Sequence, residues 1–195
     1  DDSFVSVSGD ASFRKYYRFC AAQQHAQEAL SLIAVDAPPK HENNAAFIQV
    51  SQLLAKHHMP VPLIEHASRP HGFFILTDFG DQLLLDQLSA NTADHLYGLA
   101  INTLCQLQTV PTEHLPRYDS ALLQQEMTLF STWFLGRHKH IPMDHEMELM
   151  LAHTFALLEQ NALQQPQTFV HRDYHARNLM LLNNDRLGVI DFQDA

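Results

Sequence analysis

The sequence is poor in glycine, and its few glycines exclude two common kinds of nucleotide site. It contains six glycines in 195 residues. None of them stands in the G-x-G-x-x-G pattern of a dinucleotide-binding fold or in the G-x-x-x-x-G-K-[ST] pattern of a P-loop. A nucleotide site in this chain therefore has to be built on another fold.

Basic residues are also scarce. The chain has 12 lysines and arginines against 22 aspartates and glutamates, which gives a formal net charge of -10 at pH 7. A surface with this charge repels the phosphate backbone of nucleic acids and anionic membrane surfaces. We therefore expect neither nucleic acid nor a membrane as a partner, and the oligomeric state stays unknown at this point.

The sequence has only two cysteines and no apolar run of the about 18 residues that span a bilayer. Cys20 and Cys105 lie far apart, without the C-x-x-C spacing of a metal or redox site. The first residues, DDSFVSVSGD, have neither the basic start nor the apolar core of a secretory signal. These absences predict a soluble cytoplasmic protein.

Short strand patterns fill the first 79 residues. FVSV and FRKYYRFC alternate around the turn-forming run SGDAS, which predicts a hairpin. ALSLIAV predicts a third strand that ends at the prolines of DAPP, and VPLIEH and GFFILTDFG predict two more. AAFIQVSQLLAKHH repeats apolar residues at helical spacing. We predict a strand-rich lobe with one helix over residues 1–79.

Residues 80–195 follow a different pattern. TADHLYGLAINTLCQLQ, SALLQQEMTLFSTWFLGRH and DHEMELMLAHTFALLEQNALQ predict three helices, with Thr92 and Asp144 as N-cap candidates. Trp133 and Phe134 could stack on a sugar, but their helical spacing favours a core position. The last segment returns to strand patterns in TFVHRD, NLMLL and LGVID. The second predicted lobe is therefore mainly helical.

The residues that could carry chemistry lie in FVHRDYHARNLML and LGVIDFQDA. His171, Asp173 and Asn178 form the pattern H-x-D-x-x-x-x-N, and Asp191 stands at the end of a predicted strand. Phosphoryl transfer to a hydroxyl needs a carboxylate that accepts the proton, together with oxygen ligands for the Mg²⁺ that neutralises the phosphates. A loop followed by a tight hairpin can bring Asp173, Asn178 and Asp191 around one pocket.

HRDYHARN and IDFQ resemble the catalytic and metal-binding loops of the protein-kinase-like fold, in its small-molecule branch of aminoglycoside and choline phosphotransferases. SGDASFRKYYRF, VDAPP and FSTWFLGRH further resemble the bacterial anomeric kinases of N-acetylmuramate and N-acetylglucosamine, which serve peptidoglycan recycling. The resemblance implies a bilobal α+β protein with an antiparallel N-terminal β lobe and a mainly helical C-terminal lobe. It also implies a further helical portion beyond Ala195 that completes the acceptor pocket.

The same resemblance assigns roles to residues of this sequence. It makes Asp173 the catalytic base, Asn178 and Asp191 the Mg²⁺ ligands, His171 a brace of the loop and Arg177 a positive charge near the transferring phosphoryl group. ATP and Mg²⁺ are the implied cofactors, and a small molecule, an amino sugar first of all, is the implied acceptor. The implied nucleotide contacts are the first turn and the strand end near the adenine: Ser8, Gly9, Asp10, Ala11, Ser12 and Thr77.

Three features depart from the pattern of protein kinases. ALSLIAVDAPP has no third-strand lysine, the helix that follows has no glutamate to pair with it, and D-F-Q stands in place of D-F-G. The candidates for the missing charge, among which the sequence does not choose, are Arg14, Lys15, Arg18 and Lys40. The D-F-G of LTDFGD precedes the catalytic loop and is expected where the two lobes join.

Three other functions stay open. The first is a related kinase for an aminoglycoside or choline. The second is a nucleotide-binding pseudokinase, which the missing lysine and glutamate favour and the presence of Asp173 and Asn178 opposes. The third is a metal-dependent enzyme in which His171, Asp173 and His175 bind Zn²⁺ or Fe²⁺, although this hypothesis leaves Asn178 and Asp191 unexplained.

Overall fold

The computed structural model describes residues 4–7, 13–22 and 29–195, so that the predicted phosphate-contacting residues 8–12 lie outside the described residues. The chain divides into two compact units, Asp1–Thr112 with Phe169–Ala195, and Glu113–Thr168. The predicted lobe boundary near Phe79 falls inside the first unit and stays a prediction. Within the described ranges, no helix is both long enough and apolar enough to cross a bilayer.

A five-stranded antiparallel sheet forms the first part of the first unit, with the strand order β1-β2-β3-β5-β4. The strands are β1 (Val5–Val7), β2 (Lys15–Ala21), β3 (Leu30–Asp36), β4 (Ile64–Ser68) and β5 (Phe73–Thr77). The antiparallel pairing of β1 with β2 confirms the hairpin predicted around SGDAS. The three further strands predicted in this half of the chain are also confirmed.

Helix α1 (Asn44–Lys56) packs on one face of this sheet. The side chain of Asn43 caps it by accepting the N–H of Ala46 at 3.1 Å. Because side chains alternate along a strand, β5 leaves Phe73 half exposed and turns Phe74 into the core, where it is 1% exposed. Phe74 meets Phe47 of α1 edge to face, with ring centroids 5.4 Å apart.

The remaining elements of the first unit are two helices and the two strands of a second hairpin. They are α2 (Leu84–Gln87), α3 (Ala93–Leu107), β6 (Leu179–Leu182) and β7 (Arg186–Val189). The pairing of β6 with β7 confirms the predicted hairpin. Asn184 and Asp185 in its turn have φ angles of 63° and 53°, a left-handed conformation that these two residue types tolerate better than most.

The strand predicted from TFVHRD is wrong, since residues 168–173 pair with no strand of the described chain. Phe169 and His171 are buried whereas Val170 is 40% exposed, which explains the strand-like alternation of the sequence. Arg172 has a φ of 68°, and this left-handed conformation ends the extended run. The segment is therefore an extended loop rather than a strand.

The second unit consists of α4 (Ser120–Leu129), a π-helix that continues it over Phe130–His138, and α5 (His145–Leu163). Asp144 caps α5 as predicted, because its side chain accepts the N–H of Met147 at 2.9 Å.

The other predicted N-cap residue, Thr92, lies in the first unit. It stands at the N-cap position of α3, but its hydroxyl donates to the carbonyl of Gln87 at 2.7 Å and makes no capping hydrogen bond to the helix.

The aromatic residues of the π-helix are exposed. Trp133 and Phe134 are 56% and 43% exposed, so the core position predicted for them is wrong. The guanidinium of Arg137 lies over the Trp133 ring, 5.0 Å from its centroid. The structure describes these three helices throughout, and no residue in them is buried. The π-helix continues α4, so the unit consists of two helical rods, and two rods cover each other along only a narrow stripe.

Candidate active site

The hairpin β6–β7 brings the predicted metal ligands side by side. Asn178 directly precedes β6, and Asp191 follows β7. The antiparallel register pairs Leu179 with Val189, and the N–H of Ile190 then donates to the carbonyl of Asn178 at 3.1 Å. The two ends of the hairpin are therefore joined by backbone hydrogen bonds up to Ile190, the residue before Asp191.

The side-chain amide of Asn178 lies between two carboxylates. Its Nδ2 is 3.2 Å from Oδ2 of Asp173 and 3.5 Å from Oδ2 of Asp191. It also donates to the backbone carbonyl of Asp173 at 3.0 Å. Because both donors of the amide sit on Nδ2, these contacts leave Oδ1 as an oxygen for a cation. Asn178 is only 9% exposed, so this arrangement is fixed by packing.

Asp191 is held in an unusual backbone conformation. Its φ of 61° lies in the left-handed region, which residues other than glycine adopt at a cost of about 1–3 kcal/mol. Its Oδ1 accepts a hydrogen bond from Nε2 of Gln193 at 2.5 Å. The next residue, Phe192, is 1% exposed and stacks on Phe47 of α1 with ring centroids 5.7 Å apart. Surrounding contacts thus compensate for the strained position.

His171 joins the loop to the end of β7. Its Nε2 donates to the carbonyl of Ile190 at 3.0 Å, and the ring is 3% exposed. Burial lowers the pKa of His171, and the hydrogen bond to Ile190 and the charges of Asp191 and Asp173 oppose that shift only in part. Nδ1 is buried without a partner in the described residues. The ring is therefore neutral, with its proton on Nε2.

Two neighbours of Asp173 complete the loop. Nε2 of His175 lies 3.1 Å from Oδ1 of Asp173, and the two side chains are 48% and 59% exposed. Sequence reasoning considered His175 only as a transition-metal ligand, because spacing alone does not reveal this contact. The hydroxyl of Tyr174 donates to the carbonyl of Ala100 in α3 at 2.7 Å, and burial raises the pKa of Tyr174 to about 12. Arg177 is exposed.

The donor set fits Mg²⁺ better than a transition metal. The predicted ligands Asn178 and Asp191 offer an amide oxygen and a carboxylate, which are groups that Mg²⁺ prefers. Within the part of the chain that the structure describes, no three His, Cys, Asp or Glu side chains gather around a point that a metal ion could occupy. The hydrogen bond from His171 to Ile190 also argues against the hypothesis of a Zn²⁺ or Fe²⁺ site.

The predicted nucleotide contacts lie away from this cluster in sequence. Thr77 ends β5, where its Oγ1 accepts the N–H of Leu63 at 2.9 Å and its own N–H donates to the Leu63 carbonyl at 3.0 Å. Its predicted proximity to the adenine stays a prediction. The same holds for Ser8, Gly9, Asp10, Ala11 and Ser12, which lie outside the described residues.

The D-F-G run of LTDFGD lies between β5 and α2 and connects the sheet to the hairpin. Asp78 is 6% exposed and accepts hydrogen bonds from Arg18 at 2.6 Å, from the hydroxyl of Ser31 at 2.5 Å and from the N–H of Gly80 at 2.9 Å. Burial acts to raise the pKa of Asp78, but the hydrogen bonds from Arg18 and Ser31 hold it below its ordinary value.

The four candidates for the missing third-strand charge have different environments. Arg18 is bound to Asp78 and Asp81, with its Nε and Nη1 each 2.6 Å from a carboxylate oxygen. Lys15 and Lys40 are exposed. Arg14 is 4% exposed, and its Nε lies 3.1 Å from Oε2 of Glu42, which stands just before α1. Sequence reasoning looked for the glutamate inside the helix and therefore missed Glu42.

The chain matches a known protein family over nearly its whole length. The family described as phosphotransferase enzyme family matches residues 3–195. An N-acetylmuramate/N-acetylglucosamine kinase from Pseudomonas putida is 40% identical over 194 residues, which are 99% of this chain and 55% of that protein. The chain thus spans 55% of the length of this curated relative.

Solved structures share the fold at low sequence identity. An aminoglycoside phosphotransferase from Streptomyces rimosus, in complex with ADP and streptomycin, has a TM-score of 0.64 and 17% identity over 100% of this chain and 72% of its own. A choline/ethanolamine kinase family protein from Mesorhizobium loti has a TM-score of 0.65 and 12% identity over 98% of this chain and 58% of its own. The predicted kinase-like fold is confirmed.

Proposed function

Since the chain belongs to the phosphotransferase enzyme family, we propose that it acts as an ATP- and Mg²⁺-dependent kinase for a hydroxyl group of a small molecule. The observation that carries this proposal is the position of the Asn178 amide, 3.2 Å from the Asp173 carboxylate and 3.5 Å from that of Asp191. Transfer of a phosphoryl group depends mainly on positioning and on electrostatic stabilisation. The carboxylates of Asp173 and Asp191 and the amide oxygen of Asn178 can supply both.

Asp173 is the proposed base. Its carboxylate is 59% exposed, so an acceptor hydroxyl can reach it, and the contacts with Asn178 and His175 restrict its orientation. One oxygen of the carboxylate accepts the hydroxyl proton while the acceptor oxygen forms its bond to the γ-phosphorus, and ADP leaves. A pseudokinase has no need of this group, which favours an active enzyme.

Asn178 and Asp191 are the proposed Mg²⁺ ligands, through Oδ1 of the amide and through the carboxylate. When bound, Mg²⁺ neutralises the charge of the β- and γ-phosphates. His171 braces the site, because its hydrogen bond to Ile190 ties the loop that carries Asp173 to the strand that leads to Asp191. Arg177 supplies a positive charge from the exposed side of the loop.

The nucleotide is proposed to lie between a strand-rich lobe over residues 1–79 and a helical lobe over residues 80–195. In this proposal the backbone of residues 8–12 faces the phosphates, and the strand end at Thr77 lies near the adenine. Backbone N–H groups, rather than a glycine-rich fingerprint, make the phosphate contacts in this proposal.

The proposed acceptor is the anomeric hydroxyl of N-acetylmuramate or N-acetylglucosamine, in the cytoplasm and in the service of peptidoglycan recycling. The relative from Pseudomonas putida, at 40% identity, supports this choice over an aminoglycoside or choline. The solved structures at 17% and 12% identity support only the fold. The acceptor is therefore the part of the proposal that most needs an experiment.

The experiment is a phosphorylation assay of the complete gene product with ATP, Mg²⁺ and one acceptor at a time: N-acetylmuramate, N-acetylglucosamine, kanamycin or choline. Phosphorus NMR identifies the product, and the expected product is a sugar 1-phosphate. Phosphate on kanamycin or choline instead would keep the kinase and discard the amino sugar. A folded protein that binds ATP and phosphorylates none of the four would favour the pseudokinase.

A further inference from the structure

A buried ion pair lies at the start of α1. Nε of Arg14 is 3.1 Å from Oε2 of Glu42, and the two side chains are 4% and 11% exposed. The other oxygen of Glu42 accepts the N–H of Phe13 at 3.0 Å. Burying two charges costs desolvation energy, and apolar replacements of such a pair are often no less stable. Stability alone is therefore a poor explanation of this pair.

The ion pair is connected to Asp191 by two aromatic rings. The guanidinium of Arg14 lies over the ring of Phe47, 5.2 Å from its centroid. Phe47, in the first turn of α1, stacks on Phe192 with centroids 5.7 Å apart and planes inclined by 8°. Phe192 is covalently next to Asp191 and 1% exposed. Movement of Phe47 would therefore reach the backbone of Asp191 through a close-packed contact.

We propose that Arg14 and Glu42 are positioning residues for Asp191. Glu42 fixes the guanidinium, the guanidinium fixes the Phe47 ring, and this ring holds Phe192, so that Asp191 keeps its φ of 61° and its carboxylate stays beside Asn178. This inference rests on the proposed function, because the binding of Mg²⁺ by Asp191 belongs to that proposal. It assigns Arg14 an indirect role: at 4% exposure it stabilises the metal ligand and makes no contact with the phosphates.

The test is the double variant Arg14→Met/Glu42→Met, which removes both charges, so that no unpaired charge stays buried, and keeps an unbranched apolar side chain at each position. Its matched control is Arg69→Met/Glu65→Met, which removes the same two residue types from exposed positions of the same unit. Both are made in the complete gene product. Calorimetric titration measures how binding of a non-hydrolysable ATP analogue depends on the Mg²⁺ concentration, and circular dichroism verifies folding.

The proposal expects the Mg²⁺ concentration for half-maximal binding to rise about tenfold in the double variant, as when the outer contacts of a metal ligand are removed. Binding of the analogue without metal should be unchanged, and the control should match the wild type in both. An unchanged Mg²⁺ midpoint in the folded double variant overturns the inference. A wild-type protein that binds no nucleotide overturns the proposed function instead.

A second experiment applies if the double variant does not fold. Glu42→Gln keeps an acceptor for Phe13 and Arg14 but removes the charge, and Phe192→Leu removes the stacked ring. If the ion pair acts through the ring, each change raises the Mg²⁺ midpoint, and the two together raise it no further than Phe192→Leu alone. Independent effects that multiply, or no effect of Glu42→Gln, overturn the proposal.

Discussion

The ring of Phe79 lies against the backbone of Gly188 in β7 so closely that a Cβ atom at Gly188 would stand 2.5 Å from two ring carbons. This contact joins the segment after β5 to the hairpin that carries Asn178 and Asp191. We therefore expect Gly188→Ala to displace the ring or the hairpin and to lower the free energy of unfolding by about 2 kcal/mol. Urea denaturation measures this change.

Gly98→Ala is the matched control for that substitution. Gly98 lies in α3, and a Cβ there meets no atom within 4 Å. Because alanine favours a helix over glycine, this variant should gain up to about 1 kcal/mol. A Gly188→Ala protein that is as stable as the wild type would show that the Phe79 ring moves aside without cost.

Asp173→Asn should abolish phosphoryl transfer and spare nucleotide binding. The amide keeps the size of the carboxylate but accepts no proton from the hydroxyl, so we expect kcat to fall by about 10³-fold or more. Initial rates and calorimetric titration with the ATP analogue separate the two effects. Asp194→Asn, at an exposed position near the site, is the control. Unchanged turnover in Asp173→Asn would remove this residue from the role of base.

Local sequence patterns predicted the hairpins and most helices, because residues that are close in sequence largely determine these elements. The alternation in NLMLL and LGVID and the residues of the turn define the register of β6 with β7, and this register places Asn178 near Asp191. The same reasoning failed for TFVHRD, because an extended loop with alternate residues buried has the same pattern as a strand. The missing strand pairing and the left-handed φ of Arg172 distinguish the two in the structure.

Contacts between residues that are far apart in the chain could not be predicted from sequence patterns. The pair of Arg14 with Glu42 depends on how β2 and α1 pack, and no spacing rule links the two residues. The exposure of Trp133 was also missed, because helical spacing tells which residues share a face and does not tell whether anything covers that face. The ion pairs of Arg18 with Asp78 and Asp81 likewise depend on tertiary packing, which residue spacing does not predict.

Asp191→Asn should weaken Mg²⁺-dependent nucleotide binding. The change removes the negative charge that the proposal assigns to the cation, and the amide keeps one oxygen that can accept from Asn178 or from Gln193. We expect the Mg²⁺ concentration for half-maximal binding to rise about tenfold or more, with metal-free binding unaffected. Titration with Mg²⁺ at fixed nucleotide measures it. If binding keeps its wild-type dependence on Mg²⁺, another group holds the metal.

Asp78→Asn should destabilise the protein at neutral pH and much less in acid. The pKa of Asp78 in the folded protein is lower than in the unfolded chain, where the pKa of aspartate is about 4. The unfolded chain therefore binds the proton first as the pH falls, so the stability that Asp78 contributes is fully present above about pH 4 and is lost as the pH falls through the folded pKa.

We expect Asp78→Asn to lower the free energy of unfolding by about 2 kcal/mol at neutral pH, because it weakens charge-assisted hydrogen bonds with Arg18 and Ser31. The difference from the wild type should shrink as the pH is lowered below about 4. Urea denaturation across this range measures both, with Glu65→Gln at an exposed position as the control. A difference that stays constant down to about pH 2 would mean that the loss comes from packing and that the Asp78 charge contributes nothing.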